Sequence, residues 1–263
     1  HLSTPLAADG QAACRIVVGT VDRYRSTAVA IQAEIRKLTG VTVPIISDTA
    51  PEAAIPLTSQ LILLGNRSTS AAINALYDHY YTLLDLKYPG TGGHVVRSVH
   101  SPYGNGKNAI LIGGSDDDGV VAAGTVLIKL LAKAKVPNGL QIGRLMDIQL
   151  SPAYKVPEKI ADVETWEASA GYGSIGYFGW NSLSKHMALY YMTGNPFHAR
   201  EVIRLAFPDE QALREISEID GERIENKDNP RGGAYHYNAH MATLYWDLIE
   251  ESPVFTDDER LRV

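Results

Sequence analysis

Three short apolar runs, each closing on a glycine, set the strongest limit on the fold. They are Arg15-Ile-Val-Val-Gly19, Gln60-Leu-Ile-Leu-Leu-Gly65 and Asn108-Ala-Ile-Leu-Ile-Gly113. Runs of this length without polar alternation read as strands buried on both faces. Between them lie segments of helical period. From Asp22 to about Leu38, Ala28, Ile31, Ile35 and Leu38 fall on one stripe, and Gly40 follows as a helix-ending residue. A second helix is expected from about Ser68 to Leu84, and a third after Gly119, with Val120, Gly124, Leu127 and Leu131 on its stripe. Val41–Ile46 reads as an edge strand because of Pro44. His94–Ser101 and Lys107–Gly113 flank a turn-rich stretch as a hairpin, and Leu140–Leu150 supplies a last strand. Strands alternating with helices, plus one hairpin, predict an α/β domain with a mixed sheet over residues 1–150.

The pattern then changes. Ser151-Pro-Ala-Tyr-Lys-Val-Pro157 is linker chemistry, and residues 151–161 are assigned to it. Residues 162–263 carry no strand pattern and form an all-α region. Helices are expected over Trp180–Met192, from Pro196 with Asn195 as N-cap, onward past Pro208 to about Ile219, and over Ala234–Glu250. Phe255–Val263 holds an N-cap candidate, Thr256, followed by acids, which is a helix start without an end. The expectation is therefore the front part of a larger protein, completed by further chain or by a homo-oligomer partner.

Composition excludes several functions. The net charge is −6 and no Lys/Arg run occurs, which argues against nucleic acid or an anionic membrane surface as partner. No apolar run approaches the roughly 20 residues of a membrane span. A single cysteine, Cys14, leaves no intramolecular disulfide. The chain begins His1-Leu-Ser without Met, which fits a mature end left after signal removal or an arbitrary boundary, and a secreted or periplasmic location is expected mainly from the resemblance described below.

Chemistry concentrates in two stretches. In Arg231-Gly-Gly-Ala-Tyr-His-Tyr-Asn-Ala-His240, a helical reading puts His236, His240, Thr243 and Asp247 on one polar stripe beside Tyr237, Met241, Leu244 and Leu248. Two histidines one turn apart need a third ligand to hold a metal, and the Glu of His-Glu-x-x-His is absent, so no metal site is expected. Proton chemistry at His236, Tyr237 and His240 competes evenly with plain interhelix packing. In Gly171-Tyr-Gly-Ser-Ile-Gly-Tyr-Phe-Gly-Trp-Asn-Ser182, glycines permit close approach of a ligand, and Tyr172, Tyr177 and Trp180 offer flat faces for sugar rings. Asn181 and His186 add polar contacts, against the alternative of an aromatic loop packed over helix ends. Tyr190, Tyr191, Tyr245 and Trp246 read as packing. The strand-to-helix segment Ile112-Gly-Gly-Ser-Asp-Asp-Asp-Gly119 lacks both phosphate-loop and dinucleotide spacings, and its aspartates repel phosphate, so it reads as a cap and tight turn.

Taken in order, Leu38-Thr-Gly40, Val-Pro-Ile, Leu-Ile-Leu-Leu-Gly-Asn66 and Ala-Ile-Leu-Ile-Gly-Gly114, followed by Asp-Gly-Val and an amphipathic helix, resemble the N-terminal accessory domain of α-glucuronidases and β-hexosaminidase-like glycoside hydrolases. That domain precedes a catalytic barrel and is mostly structural support. Here helices follow instead of a barrel strand, and pairs rich in Trp, Tyr, Asn and His resemble the start of an α/α toroid of polysaccharide-lyase or glycoside-hydrolase type. The resemblance implies a secreted carbohydrate-active enzyme acting on a polysaccharide or oligosaccharide. A lyase is placed slightly ahead of a hydrolase on the Tyr/His/Asn set, and no acid/base carboxylate pair stands out, with Asp247, Glu222 and Glu225 as the available acids. It implies His236, Tyr237, His240, Asn181 and Arg231 as catalytic, and Trp180, Tyr177, Tyr172, His186 and Tyr235 as substrate-binding. It names no cofactor. A non-catalytic glycan-binding or assembly module remains the alternative.

Overall fold

The computed structural model describes residues 2–19, 23–162, 182–220 and 236–263, with the backbone alone for residues 161, 216–220 and 236–241. The chain divides into two compact units, His1–Ala153 and Tyr154–Val263.

The first unit is an α/β domain with a mixed sheet. Its strands are β1 (Thr4–Ala8), β2 (Gln11–Ala12), β3 (Cys14–Val18), β4 (Ile45–Ser47), β5 (Gln60–Gly65), β6 (His94–Val99), β7 (Ala109–Gly114), β8 (Lys135–Val136), β9 (Gly139–Ile142) and β10 (Met146–Gln149). The helices are α1 (Arg25–Thr39), α2 (Ala71–Asp78) and α3 (Asp117–Leu131). The main sheet has the order β10-β6-β7-β5-β3-β4. Strands β4, β3, β5 and β7 are parallel, while β6 runs antiparallel to β7 and β10 antiparallel to β6. A smaller antiparallel sheet has the order β2-β1-β9-β8.

Alternate residues of the central strands define two buried faces. Ile16, Val18, Ile62, Leu64, Ile110 and Ile112 face one core with Ala28, Ile31 and Ile35 of α1 and Val120, Ala123 and Leu127 of α3. Their neighbours Val17, Leu61, Leu63 and Leu111 are equally buried, which is why these strands read as unbroken apolar runs. Cys14 sits within this packing, and burial pushes its thiol up to about 12, so it behaves as a small hydrophobe.

Three expectations change in detail. The edge strand is β4 alone, displaced past Pro44, whose carbonyl still accepts from the Ile16 N–H at 2.9 Å. Proline lacks a donor and restrains the residue before it, so Val41–Val43 stay outside the ladder. The second helix is shorter than its sequence suggests. Tyr80 adopts φ 61°, and the Tyr80 and Tyr81 N–H groups donate to Tyr77 and Leu76 carbonyls at 3.0 and 2.9 Å. That pairing is a Schellman ending, with a tyrosine where glycine is usual. Finally, Leu140–Leu150 forms two strands in different sheets, β9 and β10, separated at Gly143-Arg144.

In the second unit, described residues form α4 (Ser182–Thr193), α5 (Pro196–Ala206), α6 (Glu210–Asp220), α7 (His236–Ile249) and α8 (Asp257–Arg262), with a 3₁₀ turn at Ile160–Asp162. No strand occurs among them. Asn195 caps α5, its Oδ1 accepting from the Phe197 N–H at 3.0 Å, and Pro196 occupies the first turn. Thr256 and Glu259 form a reciprocal capping box on α8. No described helix is long and apolar enough to cross a membrane.

Candidate functional site

The second unit is organised around α4. Every residue from Ser182 to Met192 is buried, including Ser184, Lys185 and His186. A helix with no solvent face must be covered on all sides, and α5, α6 and α7 all pack against it. Its C-terminal end meets the C-terminal end of α7: the Tyr190 hydroxyl and the Ser252 hydroxyl share a hydrogen bond, and the Tyr191 and Tyr245 rings lie 6.4 Å apart. Tyr190, Tyr191 and Tyr245 are thus interhelix packing, as their sequence context suggests.

His186 faces His198 across the α4–α5 hairpin, with Nδ1 to Nδ1 at 3.0 Å. Two ring nitrogens in hydrogen-bond contact require one to carry the proton and the other a lone pair. The two neutral rings therefore take opposite tautomers. Burial, then the neighbouring His198 and Arg204, hold the His186 pKa down at about 3. His198 is also lowered by burial, with Glu201 opposing. Neither ring holds charge at neutral pH, and a single Nδ1 proton links the two.

A cavity of about 240 Å³ opens beside this pair, bordered by Glu158, His186, Phe197, His198, Arg204 and Glu215. The Phe197 ring meets His186 edge-on at 6.1 Å and is otherwise largely exposed. Arg204 joins the walls, 2.6 Å from Glu201 and 2.7 Å from Glu215 on α6. That guanidinium holds the Glu215 carboxyl below its ordinary range, second only to the Gln211 hydrogen bond. With Glu201 and Glu215 engaged by Arg204 and only the exposed Glu158 besides, the cavity offers neutral imidazoles and an aromatic wall, not an acid/base carboxylate pair. Among the described residues, no group of three or more His, Cys, Asp or Glu is arranged to hold a metal.

Of the residues given catalytic or substrate-binding roles from sequence, only His186 has a described side chain, and it lies in this cavity. Tyr172, Tyr177, Trp180, Asn181, Arg231 and Tyr235 lie outside the described residues, as do Glu222 and Glu225. His236, Tyr237 and His240 belong to the first turns of α7, and their side chains lie outside the description. Farther along the same stripe, Thr243 and Asp247 are exposed, while among the described side chains of α7 Tyr245, Leu248 and Ile249 are buried. In the first unit, Asp116 acts as a cap: its Oδ1 accepts from the Gly119 N–H at 2.9 Å and its Oδ2 from the Gly92 N–H at 3.0 Å.

Sequence reasoning passed over His198, Glu201, Arg204 and Glu215. The signal for His198 was the turn Thr193-Gly194-Asn195-Pro196, which folds α5 back and carries position 198 toward 186. Arg204 and its acids had no signal of their own, since their meeting depends on how α6 packs. In comparisons with known proteins, the sequence matches no protein-family model and no curated protein above chance level.

Proposed function

We propose that this chain is part of an exported enzyme that cleaves a polysaccharide, by β-elimination at a uronic acid in preference to hydrolysis. One observation carries the reading: α4 and α7 are packed neighbours joined at their C-terminal ends. The chain enters these two helices directly after the two chemistry-rich stretches, Gly171–Asn181 and Arg231–Tyr235. Packed neighbouring helices, with α5 folded back against α4, suit the layers of an α/α toroid. The resemblance of the first unit to a glycosidase accessory domain supports the same class. Export follows from the substrate, since a polymer that cannot cross a membrane has to be met outside it.

In the proposed reaction, Arg231 and Asn181 neutralise the uronate carboxylate, which acidifies the C5 proton. A base drawn from Tyr237, His236 and His240 removes that proton, the C4–O bond breaks, and a double bond forms between C4 and C5. The departing glycosidic oxygen takes a proton from the same group of residues. His186, neutral and buried, adds a polar contact for the sugar chain. Trp180, Tyr172, Tyr177 and Tyr235 supply stacking faces for the sugar chain.

The test is incubation of the native full-length protein with polygalacturonate, alginate and other polyuronates. Conjugated unsaturated product, read by ultraviolet absorbance, is the expected result. New reducing ends without that absorbance would assign hydrolysis instead, and binding without cleavage would assign a glycan-binding module.

A further inference from the structure

Strands β3, β4, β5 and β7 are parallel and end at one edge of the main sheet. The connection leaving β3 runs through α1 to β4, on one side. The connection leaving β5 runs the other way, toward β7. Neighbouring strands whose connections diverge leave a crevice beyond their carboxyl ends, and open α/β sheets bind ligands there. A cavity of about 660 Å³ occupies this position, bordered by Gly19, Tyr24, Asp48, Arg67, Ser68 and Asn74. Its size falls within the roughly 300–1,000 Å³ common for small-molecule sites. Glycines at the ends of β3 and β5 allow the Asn66–Ser70 turn to form its floor. A side chain at Gly19 would collide with the Thr69 carbonyl, and one at Gly65 with the Thr69 hydroxyl.

Two polar atoms at this crevice have no hydrogen-bond partner among the described residues. One is the Tyr24 hydroxyl, on a side chain only 3% exposed, whose polar neighbours are Thr69 and Asp117. The other is Asp48 Oδ1. Buried polar atoms left unpaired are costly, so an unpaired donor and an unpaired acceptor at one crevice point to something that satisfies both.

The charges decide what that is. Asp48 Oδ2 already accepts from the Ala71 N–H at 2.9 Å, and Ser70 caps the same helix through the Ile73 N–H. An anion at the start of α2 would meet a carboxylate there. Arg23 is paired with Asp117 at 3.0 Å; Arg67 lies 4.0 Å over the Tyr77 ring and 3.7 Å from Asp78. Both guanidiniums are balanced, so the site does not select phosphate. What stays without a partner is a carboxylate oxygen and a phenol, beside the Ser68 hydroxyl, groups that match hydroxyls, which donate and accept alike. Asp48 also follows the second parallel strand, the position from which dinucleotide folds hold a ribose diol, here without their phosphate-binding glycines.

We propose that this crevice is a binding site for a neutral saccharide, with Asp48 accepting from a hydroxyl pair and Tyr24 fixing a third oxygen. The site lies wholly within the first unit and shares with the proposed function only its ligand class. The test is calorimetric titration of the full chain with glucose, xylose, galactose, mannose and the β-1,4-linked tetrasaccharides of glucose and xylose. Sodium phosphate and ADP serve as anionic controls. At least one neutral saccharide binds in the millimolar range or tighter. Tyr24→Phe, which keeps the ring, weakens that binding about tenfold, the worth of one hydrogen bond. Asp48→Asn weakens it at least as much, and because that change also loosens α2, Tyr24→Phe is the deciding variant. Tyr24→Phe leaves formation of unsaturated uronate unchanged, which separates this site from the proposed reaction. Failure of every neutral saccharide to bind, unchanged affinity in Tyr24→Phe, or tighter binding of phosphate or ADP overturns the proposal.

Discussion

Around β3, β5 and β7 the first unit fills its core with hydrocarbon, from Ile16 to Ile112, and keeps its buried His94 and Arg97 to β6 at the side. The second buries Ser184, Lys185 and His186 on a single helix beside Leu189 and Met192. The contrast separates two sources of order. Apolar packing stabilises through area removed from water and is indifferent to pH. Buried polar groups depend on keeping partners and protonation states, so they restrict how helices dock at some risk to stability. A chain built from both should answer differently, unit by unit, to the same perturbation.

The largest expected effect is in the sheet. Leu64→Ala removes a fully buried side chain and should cost about 3 kcal/mol. Chemical denaturation should show this loss to be the same at pH 5 and pH 8, and a pH-dependent loss would blur the contrast. The second effect belongs to the histidine pair. Burial holds the His186 pKa at about 3, below its ordinary 6.5, so the folded state favours the neutral ring. That contribution is fully present above pH 6.5 and is lost as pH falls through 6.5 toward 3, by a few kcal/mol at most. Thermal melting across this range should fall in the native protein and flatten in the double variant His186→Phe, His198→Leu. An unchanged acid limb would mean the pair does not stay neutral.

Smaller effects come from the helix starts. Asn195→Ala removes one cap bond in the second unit and should cost about 1 kcal/mol. Asp116→Ala in the first should cost more, because Asp116 also holds the Gly92 N–H. Equal losses in urea titrations would show that the second bond contributes nothing. The smallest change is Lys37→Ala. Its pair with Glu34 is exposed, so the midpoint should move by less than about 0.5 kcal/mol.

Where a residue's neighbours in sequence decide its state, the fold could be read directly. The runs ending at Gly65 and Gly113, the hairpin partners β6 and β7, the Asn195-Pro196 helix start and the Thr256 cap all emerged that way. The β1–β2 hairpin was missed although Asp9-Gly10 is the strongest short signal for one, because β2 has only two residues and no alternation. The early end of α2 was hidden because Tyr80 takes a conformation that local preference opposes. His186 was visible as a chemical group, but its partner was not. The His186–His198 contact and the Arg204 bridge arise from docking one helix on another, and no periodicity encodes them. The crevice of the first unit was equally hidden, since Gly19, Asp48 and Asn74 come together only through strand order.

The central claim places polysaccharide cleavage on the residues that lead into and begin α7. Its most direct test is turnover of polyuronate by His236→Ala and Tyr237→Phe variants of the full-length protein, with circular dichroism confirming the fold. Both variants should lose formation of the unsaturated product while retaining native helicity. Turnover at the unmodified rate in both would contradict the claim.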